Sequence, residues 1–244
     1  MQIRKILIAT LIILSVSFLG LQILQFETQA SALRALLLIG LTAFYCLTIK
    51  EKKLFFYLFL VAFTLAEILN FTSLFVSFVS ENGTDYSYYF TNALYILSYL
   101  FLITKVMGDM NLKEVIRKFP IHILVLLVLD IFCVIIVTDT TKGLLSSEEY
   151  TLEFLYNTVI MLLLTVALIN YIYREDKKSM NLLIGSIFIV FSEVIQLAYF
   201  YISDINILNV ICSFFLVLAF IFFYLQSRLM YQENDDLTSN SLYI

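Results

Sequence analysis

The chain is written in long apolar blocks divided by short polar ones. Runs rich in Leu, Ile, Val and Phe fill residues 6–26, 32–49, 54–79, 88–107, 121–137, 152–173, 180–202 and 207–229. A helix needs roughly 20 apolar residues to cross the hydrocarbon of a bilayer. Two blocks, 32–49 and 121–137, are short for that, and 54–79 is long enough to tilt or to extend past the membrane. The blocks are continuous rather than alternating in short segments, so they predict helices and not the strands of a barrel. The pattern predicts an all-α, polytopic transmembrane bundle of about eight spans.

Composition strengthens that expectation. The chain is 61% hydrophobic and 14% charged, with mean hydropathy +0.95. Soluble domains are about half apolar and a quarter charged. A water-soluble fold of this length has too little polar surface to cover so much apolar side chain. In lipid it need not, provided that each backbone polar group is paired within its own helix.

The basic residues give an independent count, because Lys and Arg collect in cytoplasmic loops. Arg4 and Lys5 precede the first block; Lys50, Lys52 and Lys53 separate the second from the third. Lys105, Lys113, Arg117 and Lys118 stand at and after the end of the fourth. Arg174, Lys177 and Lys178 follow the sixth, and Arg228 closes the eighth. The alternate loops, around Glu27, Asn82–Gly83, Ser146–Glu149 and Asp204, hold only Lys142, with Arg34 near the mouth of the second block. Even spacing of this kind places both termini in the cytoplasm and suits a multi-pass protein of the bacterial inner membrane. It also accounts for the basic residues without nucleic acid as a partner. The net charge of −4 mixes two sides of a membrane and decides nothing.

Residues 1–230 form a single transmembrane domain in this scheme, and 231–244 a polar, acidic cytoplasmic tail with the composition of disorder. The opening residues have a basic start like a signal peptide, but their apolar run is too long and lacks an A-x-A site, so they count as a retained span. Cys46, Cys133 and Cys212 fall in different spans without metal spacing and serve as packing residues. Asn82-Gly83-Thr84 reads as a turn. The segment 108–119 has Leu112, Val115, Ile116 and Phe119 on one side and Lys113, Arg117 and Lys118 on the other, which suits a short helix at the headgroups. Pro120 then begins the fifth span, where its missing N–H costs nothing.

Ionisable side chains inside the apolar blocks are costly and mark function by default. Three carboxylates qualify: Glu67, Asp130 and Glu193. Glu67 and Glu193 each lie about 13 residues into outward-running helices, or roughly 20 Å from the inner boundary at 1.5 Å per residue. Each belongs to a polar stripe. Thr64, Glu67 and Asn70 recur at helical spacing, as do Glu193 and Gln196, with Ser192 adjacent. Asn92, Tyr95 and Tyr99 supply a third face, and Arg34 is the basic group placed to descend toward the acids. Together they predict a pocket opening toward the outer leaflet. Interhelical hydrogen bonding is the plain structural use of the same residues, and it weighs most heavily for Asp130.

These stripes resemble the YhhN-like lysoplasmalogenases, a family of eight-helix membrane proteins. The seventh span of that family has Gly, a small residue, and Ser-Asp seven and eight positions after the Gly, then an aromatic. "GSIFIVFSEVIQLAYF" offers Gly185, Ser186, Ser192, Glu193 and Phe200 in that register. The family's Phe-Ser-x-Gly-Asp is echoed by Phe63, Thr64, Ala66 and Glu67. Arg34 stands where the family tends to have Lys, Gln226 resembles its Gln in the last span, and Tyr156 with Met161 and Ala167 loosely resembles its sixth. The departures are specific. Both family Asp positions are Glu, Ala66 replaces Gly, and the fourth-span His is absent, with Ser98 or Tyr99 nearby. The one histidine, His122, begins the fifth span.

The resemblance implies hydrolysis of the vinyl ether of a lysoplasmalogen, a lysophospholipid, with neither metal nor organic cofactor. Protonating the alkenyl carbon gives an oxocarbenium ion; water adds to form a hemiacetal, which collapses to aldehyde and alcohol. One neutral and one charged carboxyl are required, which assigns catalysis to Glu67 and Glu193. Arg34, Asn70, Tyr95, Tyr99, Ser192, Gln196 and Gln226 are then the substrate-binding candidates, with Arg34 on the phosphate and Asp130 an additional polar group. Two other functions fit the same residues: a non-enzymatic lipid or small-molecule carrier, and an accessory protein whose acids only join helices. No inverted repeat favours a transporter, and no Lys within the last spans favours a retinal protein. Oligomeric state is not encoded in any of these features.

Overall fold

The computed structural model describes residues 2–76 and 85–229, with side chains from residue 5 onward. The tail 231–244, the turn Asn82-Gly83-Thr84 and the far end of the third apolar block lie outside the described residues. Within them the chain is helical: α1 Gln2–Ile23, α2 Glu27–Thr48, α3 Leu54–Ser73, α4 Tyr86–Gly108, α5 Leu112–Lys118, α6 Pro120–Asp139, α7 Ser147–Arg174, α8 Lys177–Tyr201 and α9 Asn206–Arg228. All but α5 are long and apolar enough to cross a membrane, which supports a multi-pass membrane protein.

Local chemistry fixes the helix ends. Pro120 stands in the first turn of α6. Asp176 caps α8, one carboxylate oxygen accepting from the Ser179 N–H at 2.7 Å. Ser146 and Glu149 form a reciprocal capping box on α7, satisfying two N–H groups that a helix start leaves unpaired. That box starts α7 at Ser147, five residues before the apolar run from which its span is predicted. α5 is a single short amphipathic element that buries Val115 and is tied down by the Tyr173 hydroxyl donating to Glu114 at 3.0 Å.

Packing closes the helices into a ring in the order α1, α2, α3, α4, α7, α8, α9 and back to α1, with α6 outside it against α7. Connections place the α2–α3 and α7–α8 links, α5 and the end of α9 at one end of the ring, here termed the basic end. The core on that side is aromatic. Phe59 stacks on Phe220 with centroids 5.8 Å apart and meets Phe223 edge-on, while Phe63 meets Phe220 at 4.8 Å. Elsewhere polar groups join neighbours: the Gln22 amide of α1 donates to Asn209 at 2.8 Å and Ser213 at 2.9 Å on α9, and Ser192 donates to the Cys212 carbonyl at 2.8 Å. The cysteines are free thiols.

Gly185 sets how closely α8 and α9 approach. A Cβ there would lie 2.7 Å from two ring carbons of Phe223 and 3.3 Å from the Ala219 carbonyl. Phe223 is fully buried among the core rings and has little room to yield. Gly185→Leu is therefore expected to destabilise the protein by at least about 1–3 kcal/mol, the usual cost of overpacking, seen as an earlier thermal unfolding midpoint in detergent. Gly20→Leu, with nothing within 4 Å of the added Cβ, is the control and leaves the midpoint in place.

Candidate functional site

The half of the ring away from the basic end holds a cavity of about 490 Å³, lined by residues of α2, α3, α4, α7, α8 and α9. It runs from the helix ends at Ser73, Asp85 and Tyr201 down to Phe63 and Leu216 above the aromatic core. Its volume falls within the roughly 300–1,000 Å³ of small-molecule sites, but its lining is unusually polar for a chain of this composition.

Two carboxylates occupy the deep part in different ways. Glu67 of α3 is 2% exposed and forms an ion pair with Arg34 of α2, Nε to Oε2 2.6 Å, while its other oxygen accepts from the Tyr95 hydroxyl at 2.8 Å. Arg34 is 12% exposed and lines the cavity with it. Burying either charge alone costs several kcal/mol, so each requires the other. Glu193 of α8 has no ion pair among the described residues. The Tyr99 hydroxyl donates to it at 2.5 Å and Tyr156 hydrogen-bonds the same carboxyl. The two acids are close enough for their charges to interact. One is neutralised by a fixed cation, and the other is held only by hydroxyls.

The helix spacing explains the convergence. Thr64, Glu67 and Asn70 share a face of α3; Thr64 ties that face to Thr42 of α2 at 3.0 Å, and Asn70 lines the cavity. Gln196 lies one turn beyond Glu193 and also lines it. Tyr95 and Tyr99 sit one turn apart on α4, and Phe63 packs edge-on against both rings, which fixes the two hydroxyls that hold the two acids.

Not every predicted residue joins the cavity. Ser192 is buried and bonded to α9 behind the cavity wall. Gln226 is fully buried at the opposite, basic end, where its carbonyl oxygen accepts from Lys105 at 3.1 Å. A shared helix with cavity-facing residues does not suffice: Gln226 lies ten residues, about 15 Å, along α9 from the cavity residue Leu216. Asp130 is on α6, outside the ring, and turns to Thr165 of α7. Conversely, α7 contributes Glu153 and Asn157, which did not stand out in the sequence, beside Tyr156, which did. Glu153, Tyr156 and Asn157 line the cavity on one face. Glu153 is buried, accepts from the Tyr88 hydroxyl and from the Asn157 amide at 3.4 Å each, and Asn157 also donates to Thr138 of α6 at 3.1 Å. Glu153 and Asn157 lie inside the predicted span 152–173, and their i, i+4 spacing on one face with Tyr156 was the sequence signal for them.

The arrangement can neutralise one carboxylate, present a second one to a bound molecule, and surround both with hydroxyl and amide groups. Comparison of the chain with protein-family models, with curated proteins and with solved structures returns no match.

Proposed function

We propose that this chain is a membrane-embedded lipid hydrolase that cleaves the vinyl ether of lysoplasmalogens by carboxylate acid/base catalysis, in a bacterial inner membrane with both termini in the cytoplasm. The observation that carries this proposal is the pair of unlike carboxyls, Glu67 on Arg34 and Glu193 on two tyrosines, bordering one cavity.

Glu193, which has no ion pair among the described residues, is the proton donor to the alkenyl carbon. Glu67, already the anionic half of an ion pair, faces the oxocarbenium ion and takes the proton from the attacking water. Arg34 then holds Glu67 in place rather than binding the substrate phosphate. The alkenyl carbon gains the proton, water supplies the oxygen of the hemiacetal, and collapse breaks the bond to the glycerol oxygen, which takes the proton from Glu67 while Glu193 recovers one from the hemiacetal hydroxyl. Asp85 and Glu153 near the helix ends leave that part of the cavity rich in carboxylate, which suits a headgroup bearing an amine. Tyr88 and Tyr201 beside them offer aromatic faces for the same cation. The distribution of Lys and Arg supports an opening on the outer side.

Purified protein given lysoplasmalogen is expected to release fatty aldehyde, and Glu67→Gln and Glu193→Gln to abolish the release. Aldehyde formation that survives both substitutions in folded protein would sink the acid/base assignment. A carrier using the same cavity would retain the lipid and release no aldehyde.

A further inference from the structure

The basic end of the ring holds a second polar cluster, remote from the cavity. Lys105 lies in the last turn of α4 and is 6% exposed; Lys178, in the first turn of α8, is 8% exposed. Lysines at membrane boundaries ordinarily extend their long stems so that the ammonium reaches water. Topology asks only that they be near the interface, so it does not account for their burial.

Their charges are also crowded. Of the neighbouring charges, Asp109 acts most strongly on both Lys105 and Lys178; against it, Lys178 and the exposed Lys53 at the start of α3 act on Lys105, and Lys53 and Arg174 act on Lys178. Two carboxylates face these four cations. Asp109 meets the Lys105 Nζ at 3.2 Å, and Asp176 spends one oxygen on the Ser179 backbone and hydroxyl. Gln226 completes the centre. Its carbonyl oxygen is taken by Lys105, but its Nε2 is buried without a hydrogen-bond partner. Asn170, fully buried one turn before Arg174, has no partner for either polar side-chain atom. Buried amides in that condition are rare.

Cations at helix C-termini are favourable by themselves, and that explains Arg174 donating to the Asp109 carbonyl and Lys105 reaching its i+4 neighbour. It does not explain the burial of Lys178 at the N-terminal end of α8, where the helix dipole disfavours a cation, nor the unspent Gln226 N–H. An oxyanion resolves both, since it relieves the repulsion and accepts from the amide. The cluster sits at the ends of α4, α7, α8 and α9, the level at which lipid phosphates lie, and basic pockets between helices there bind anionic headgroups. We infer that the basic end is a binding site for a phosphate-bearing anion, with Lys105, Lys178 and Gln226 as its principal donors. This site is independent of the hydrolase proposal.

The test uses the full chain, purified in a non-ionic detergent. Binding is measured by native mass spectrometry and by the shift in thermal midpoint. The probes are dioleoyl phosphatidylglycerol, dioleoyl phosphatidylcholine and inorganic phosphate, with sodium chloride at matched ionic strength as control. Phosphatidylglycerol is expected to bind at least tenfold more tightly than phosphatidylcholine, and Lys178→Gln and Lys105→Met each to remove that preference. If Lys105→Met does not fold, Lys178→Gln and Lys53→Gln decide the matter. A midpoint raised by inorganic phosphate alone also supports the site and identifies a soluble anion as its ligand. Equal binding of the two lipids without a phosphate effect, or a preference unchanged in Lys178→Gln and Lys53→Gln, overturns it.

Discussion

On the proposed function, replacing Glu193 by Gln is expected to lower the rate of aldehyde release from lysoplasmalogen by a factor of about 10²–10⁴, the range that a positioned general acid contributes, and to leave the fold intact. The substitution is close to isosteric. A Gln carbonyl oxygen still accepts from Tyr99 and Tyr156, the hydroxyl partners of this carboxyl, so packing and orientation persist while the transferable proton is lost. Substrate retention is therefore preserved and kcat carries the loss. Glu193→Asp is informative in a different way. It keeps the proton but draws the carboxyl back by one methylene from both tyrosines, and misplacement of about 1 Å is enough to cost catalysis heavily. An Asp variant with full activity would show that the carboxyl need not be held by Tyr99.

The largest stability effect belongs to Arg34. Arg34→Met removes the partner of Glu67 and leaves a carboxylate that is 2% exposed without its counter-charge. Breaking a buried pair from one side costs about 3–5 kcal/mol, whereas replacing both partners with neutral groups is often nearly neutral. The single variant is thus expected to unfold well before the wild type in a detergent melt. Arg34→Met combined with Glu67→Gln recovers much of the loss, because the amide still accepts from Tyr95 and carries no charge to bury. On the proposed function, the double variant is expected to remain inactive. Non-additivity of this sign separates a true charge pair from two independent packing residues.

The eight spans and their alternating basic loops could be read from the sequence because each depends on a local property: twenty apolar residues, or a Lys beside them. The arrangement of the spans could not. The fifth span, α6, is apolar on all sides, so no face of it announces a neighbour, and the sequence does not say that it stands outside the ring. Asp130 shows the consequence, since its depth along the helix is legible but its orientation toward Thr165 of α7 is not. Glu67 and Glu193 stand out because a carboxylate interrupts apolar residues, whereas Glu153 does not. It is the second residue of the run 152–173 and close to Glu148 and Glu149, so it passes for a charge at the mouth of the span until the Ser146 cap shows that α7 begins well before it. Lys105 shows the opposite error: as a charge it marks the end of a span, yet it lies folded inward on Asp109 and Gln226. Gln226 likewise has a residue type suited to the cavity but stands at the other end of α9.

Protonation of the alkenyl carbon within this cavity is the central claim, and hydrolysis in D₂O tests it most directly. The fatty aldehyde released by the purified protein, trapped at once and analysed by mass spectrometry, is predicted to carry one deuterium on the carbon next to the carbonyl, and the Glu193→Gln protein to produce none of it above background. Absence of aldehyde from the folded wild-type protein, or aldehyde without deuterium at that carbon, would contradict the account.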